Sequence, residues 1–103
     1  MSFSTKLQEE IADALTRLAP GVPYFDAQMV RSDASARHYR AFPAKISTWL
    51  ALVAHIRHQH TDYDSLLEEG YGKEAARHFV LDSINETLTT WRATRFLDNK
   101  EDA

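Results

Sequence analysis

The sequence predicts an all-α fold: a single compact domain of four to five helices, with a long C-terminal helix antiparallel to a helix over residues 44–60. Three observations predict it. Apolar residues recur every three or four positions in separate stretches, the spacing of a helix face. The chain breakers fall between those stretches, at Pro20, Gly21 and Pro23, at Pro43, and at Gly70 and Gly72. The 103 residues suffice for one hydrophobic core and are too few for two.

The first helix is expected over residues 5–18. Leu7, Ile11, Leu15 and Leu18 form its apolar stripe, Ser4 or Thr5 is a candidate cap, and Thr5 with Gln8 has capping-box spacing. Residues 20–43 carry the weakest pattern. Asp26 can cap a helix through Ala27, Val30 and Ala34, and a short helix followed by a loop is expected, with one or two short strands as the alternative. Pro43 suits the first turn of the next helix. There Ile46, Trp49, Leu50, Val53, Ile56 and Arg57 share one side, while Thr48, Ala51, His55 and His58 share the other. His55 and His58 are neighbours on this reading, and His60 points elsewhere.

Thr61, with Asp64 following, reads as a new N-cap and opens a short helix over residues 62–69. Gly70 ends it as a left-handed residue. A long helix then runs from about Lys73 to about Phe96, with Ala76, Val80, Ile84, Leu88 and Trp91 as its stripe and Arg77 beside them. Residues 1–98 form the domain and residues 99–103 a disordered tail.

Composition excludes several function classes. Absence of cysteine removes disulfides and thiolate metal sites. The stretch from Trp49 to Ile56 is far too short to span a bilayer, and the N-terminus MSFSTKLQEE has no apolar secretory core. A soluble, cytoplasmic protein with no membrane contact is expected. The three glycines build no phosphate-cradling loop, and no serine sits in a Gly-flanked nucleophile turn. No cofactor is expected, and an enzyme is not the preferred reading.

The net charge of −3 is unevenly spread: residues 1–30 sum to −2, residues 31–60 to +4 and residues 61–103 to −5. Arg31, Arg37, His38, Arg40 and Lys45 are therefore candidates for an anion-binding face. The competing arrangement, commoner in helical domains, pairs the basic middle with the acidic end inside the fold.

One stretch concentrates chemistry: HIRHQHTDYD, from His55 to Asp64. Three readings compete. A metal site would use His55 and His58 at i, i+3 spacing with Asp62 or Asp64 as a third ligand, although the His-Glu-x-x-His pattern of helical zinc enzymes is missing. An acid–base site would use a histidine with an aspartate to orient it, joined by Tyr63 or His38. The preferred reading is a structural joint between helices. Arg57 and Arg77 face their core stripes and need a carboxylate, and Asp64 is the natural partner. The polar cluster is then His55, Arg57, His58, Thr61, Tyr63, Asp64 and Arg77.

The run AHIRHQHTDYDSLLEEGYGKEAARHFVLDSINETLTTWR resembles the signature of an uncharacterised bacterial and fungal family, domain of unknown function 2293. The matching positions are Ala54, His55, Arg57, His58, Thr61, Tyr63, Asp64, Leu66, Leu67, Gly70, Ala76, Arg77, Trp91 and Arg92, within residues 52–92. The resemblance implies no activity, cofactor or partner.

Two kinds of binding function fit these features. The first is a helical binding or regulatory module that acts through macromolecular contacts, with Tyr24, Phe25, Tyr39 or Phe42 as surface anchors. The second is nucleic-acid binding. The short helix, turn and long helix have a helix-turn-helix rhythm, but the long helix begins KEAARHFV and is not basic, so phosphate contacts would come from residues 31–58. A metal-dependent or acid–base enzyme is the third possibility. A homodimer through the 73–96 helix is also expected.

Overall fold

The computed structural model describes residues 2–98, with side chains from residue 6 onward. It contains α1 (Ser2–Leu18), α2 (Tyr24–Ala34), a single 3-10 turn (Arg37–Tyr39), α3 (Ala44–His60), α4 (Tyr63–Glu68) and α5 (Lys73–Thr90). No strand occurs among the described residues, so the strands entertained for residues 20–43 are replaced by α2 and the 3-10 turn. No described helix is long and apolar enough to cross a membrane. The expected tail, residues 99–103, lies outside the described residues.

α3 is the organising element. It packs against α1 and α2 and also against α5, while α4 lies on α5. Its burial follows: Ser47, Thr48, Trp49, Ala51, Leu52, Val53, His55, Ile56 and Arg57 are all buried. This corrects the two-sided reading of α3. A helix enclosed on several sides does not separate a wet face from a dry one, so Thr48, Ala51 and His55 are as buried as Trp49, while Ile46 is 40% exposed. The flanking helices behave as their stripes predict. Ile11 and Leu15 of α1 are buried, as are Ala76, Val80, Ile84 and Leu88 of α5.

α1 begins at Ser2, earlier than expected, so Ser4 and Thr5 fall inside the helix and not at its cap. Pro23 holds the extended backbone before α2, with φ −64° and ψ 153°. Asp26 is consequently the third residue of α2, in its first turn, and not the residue before it.

α5 stops at Thr90, well short of the expected Phe96. The cause is a Schellman ending. The Ala93 amide donates to the Leu88 carbonyl at 2.8 Å and the Arg92 amide to Thr89 at 3.0 Å. Arg92 takes the left-handed conformation, φ 59°, where glycine is usual. The same closure ends α4: Tyr71 donates to Leu66 at 3.1 Å and Gly70 to Leu67 at 3.0 Å. There Gly70 supplies the left-handed residue, φ 105°, as the sequence predicts.

Past α5 the chain folds back on the domain. Asn85 grips Leu97 through two hydrogen bonds of 2.9 Å, one from its amide group to the Leu97 carbonyl and one from the Leu97 amide to its oxygen. The Arg95 guanidinium lies 4.1 Å from the Trp49 ring centroid. The ends of α1 and α5 are also seamed together: the Gly21 amide donates to the Trp91 carbonyl at 2.8 Å, and the Thr94 amide to Leu18 at 2.9 Å. Trp91, the last residue of the predicted stripe, is buried at this seam.

Candidate functional site

The stretch from His55 to Asp64 divides into two hydrogen-bonded groups on different sides of the end of α3. The first group gathers around Asp26. One Asp26 carboxylate oxygen lies 2.7 Å from His55 Nε2 and 2.7 Å from His60 Nε2. A carboxylate only accepts, so both Nε2 atoms carry the hydrogen and donate to it. The His55 side chain is 1% exposed, Asp26 17% and His60 36%, so the group runs from the core to the surface.

Local structure explains the convergence. α3 stays helical to His60, its last residue, and α2 packs alongside it. Asp26 sits in the first turn of α2, where the helix dipole favours a negative charge. Trp91, anchored by its backbone to Gly21, closes the group from the end of α5. Its ring centroid is 5.3 Å from that of His60, nearly perpendicular, and 6.5 Å from that of His55.

Burial alone would raise the Asp26 pKa. The hydrogen bonds from His55 and His60, together with their attraction, more than offset this and hold it below its ordinary value. Asp26 is thus an ionised carboxylate held by two donors.

The second group faces solvent. His58 Nδ1 lies 2.7 Å from the Asp64 carboxylate, and both side chains are about half exposed. The His58 ring meets Tyr63 edge-on, with 5.4 Å between centroids. This replaces the expected tie from Asp64 to an arginine: Asp64 is an exposed residue engaged with His58, whereas Arg57 is buried. The Arg57 guanidinium instead lies 5.6 Å from the ring centroid of buried Tyr63. Arg77 is half-buried on α5.

Thr61 makes the joint between α3 and α4. Its hydroxyl donates to the Arg57 carbonyl and accepts from the Tyr63 amide at 3.2 Å. One hydroxyl therefore ties the end of α3 to the start of α4, although the N-cap position of α4 is Asp62, one residue past the predicted Thr61.

The predicted metal set does not come together. His58 points to Asp64, and Asp62 is exposed outside any three-ligand group. Among the described residues the group with ligand spacing is Asp26, His55 and His60, whose ligand atoms all lie within 4.8 Å of one another. Sequence reasoning found His55 but read Asp26 as a helix cap and set His60 apart. Only a tertiary contact across 34 positions joins them.

The basic candidates lie together elsewhere. Arg31, Arg37, His38, Arg40 and Lys45 are all exposed, from the end of α2 through the 3-10 turn to the first turn of α3. None forms an ion pair with a described acidic residue: Arg31 bonds to Gln28 and Arg40 to the Ser35 carbonyl. For these five side chains, the expected pairing with acids of the C-terminal third is not made among the described residues.

No curated protein and no solved structure matches the chain. A family model does match, over residues 14–92, and reaches from α1 to the end of α5, so that Asp26, His55, His60 and Trp91 all fall inside it. On that match the chain belongs to the family of uncharacterized conserved proteins known as DUF2293.

Proposed function

We propose that the protein is a small helical binding module that acts through macromolecular contacts, and that its contact surface is the basic stretch from Arg31 to Lys45, with nucleic acid as the partner. The observation that supports this most is the state of the five basic side chains. All are in solvent, within fifteen positions, and without an acidic partner among the described residues. Asp33 is the single acid in the stretch. An otherwise acidic chain that keeps its cations unpaired on one segment presents a local positive field to a polyanion.

Aromatic rings are interleaved with these cations. Phe42 is about half exposed, and the His38 and Tyr39 rings lie 4.2 Å apart. Rings beside phosphate-binding cations suit single strands, where stacking on a base contributes about 1–3 kcal/mol. A shallow groove between α1 and α2, lined by Gln8, Gln28, Arg31, Ser32 and Ser35, extends the polar surface beside Arg31.

Fluorescence anisotropy with labelled mixed-sequence single strands and duplexes, over a range of salt, tests the proposal. The expected result is binding that weakens steeply with salt. Each phosphate contact adds about 0.7 to the slope of log K against log salt for single strands and about 0.9 for duplexes. The double variant R37E/R40E should lose the binding. Failure of both nucleic acids to bind at low salt, or binding that the double variant leaves intact, would overturn the proposal.

A further inference from the structure

We infer that Asp26, His55 and His60 form a binding site for a divalent transition-metal ion of the zinc class, with Trp91 as its wall and solvent at its open side. The inference is independent of the basic surface proposed above. Three features of the group carry it.

The first is ligand chemistry. Two imidazoles and one carboxylate make the set that zinc, cobalt and nickel accept with three protein ligands and an exchangeable fourth position. The second is aim. Both Nε2 atoms already point at the same carboxylate oxygen from 2.7 Å, and all three ligand atoms lie within 4.8 Å of one another. Ligand atoms around a tetrahedral ion at about 2.0–2.1 Å stand roughly 3.3 Å apart. Opening the two 2.7 Å nitrogen–oxygen contacts by about half an ångström, and bringing the two Nε2 atoms from within 4.8 Å to the same spacing, admits the ion. His60 can supply that movement, because it is the last residue of α3 and is partly exposed.

The third is rigidity in graded surroundings. His55 is fixed in the core, and the Trp91 ring packs against both imidazoles. Asp26 is pinned in the first turn of α2. The exposure of His60 leaves the remaining coordination position on the solvent side. Binding would exchange two N–H donors for two nitrogen lone pairs, each imidazole carrying its hydrogen on Nδ1 instead. The ion would then take over the link between α2 and α3 that the hydrogen bonds make in the metal-free protein.

The remaining histidine of the stretch supplies an internal control. His58 is bonded to Asp64 and lies outside the group.

Protein purified without a histidine tag, stripped with chelator, is titrated with cobalt(II) and followed by visible absorption, and separately with zinc(II) and followed by thermal unfolding. The expected result is a stoichiometric endpoint, visible bands of a four- or five-coordinate cobalt site, and a melting temperature raised by zinc. H60A should lose the bands while keeping its helical circular dichroism, and H58A should keep both. D26N provides a second arm, also read by cobalt absorption after its fold is checked. Absence of a stoichiometric endpoint in the parent protein, bands that survive H60A in folded protein, or bands lost in H58A would overturn the inference.

Discussion

His55 Nε2 donates to the Asp26 carboxylate at 2.7 Å, joining residues 29 positions apart and locking the buried body of α3 to the start of α2. The imidazole is almost fully buried, so its donor has no water to turn to. D26A should leave that donor unmet, at a cost of about 1–3 kcal/mol. In a domain of this size each kcal/mol lowers the melting temperature by roughly 4–8 °C. Urea unfolding of metal-free protein measures the loss, and an unchanged midpoint would contradict it.

Asp26 also sets a direction for pH dependence. Its folded-state pKa lies below the ordinary 3.8, so its ionised form stabilises the fold. That contribution is fully present above the unfolded value and is lost as pH falls through the lower folded value. With chelator present, the stability gap between the parent and D26N should narrow as pH falls below about 3.8. A gap that stays constant throughout the acid limb would count against the assignment.

Gly21 is required by the seam between α1 and α5. A Cβ there would stand 3.0 Å from the carbonyl carbon and oxygen of Trp91, which are backbone atoms and cannot rotate away. G21A should therefore destabilise by about 1–3 kcal/mol, the usual scale of overpacking. It should also disturb the Trp91 ring, which tryptophan fluorescence reports. A neutral or stabilising result would show that the seam is slack.

Arg92 offers the opposite test. It occupies the left-handed position of the α5 ending, φ 59°, at an intrinsic cost of roughly 1–2 kcal/mol for a residue with a Cβ. Its side chain is exposed. R92G should raise stability by a few tenths to about 1 kcal/mol, because relief of strain is partly offset by the entropy of glycine in the unfolded chain. A lower unfolding midpoint would mean that the Arg92 side chain contributes more than its backbone costs.

These residues show where the sequence was legible. The stripes of α1 and α5 follow period 3.6 because each helix has one wet side, and Gly70 announces its own left-handed turn. The end of α5 was hidden because an arginine does there what glycine does after α4. α3 misled because it is enclosed, so that polar and apolar positions are buried alike. At the candidate site, His55 and Thr61 stood out through local spacing. Asp26 did not, because an acid in the first turn of a weakly patterned helix looks the same whether it meets water or two imidazoles. His60 was set apart by helical angle alone, although a carboxylate delivered from α2 lies within reach of both rings.

The central claim is that His60 and Asp26 meet across the packing of α3 on α2, and a double-mutant cycle between them tests it most directly. Unfolding free energies of the parent, D26A, H60A and the double variant, all metal-free, give the coupling. The account predicts that the single effects fail to add by about 0.5–3 kcal/mol, as contacting residues do. Effects that add within about 0.3 kcal/mol would place the two side chains apart and contradict it.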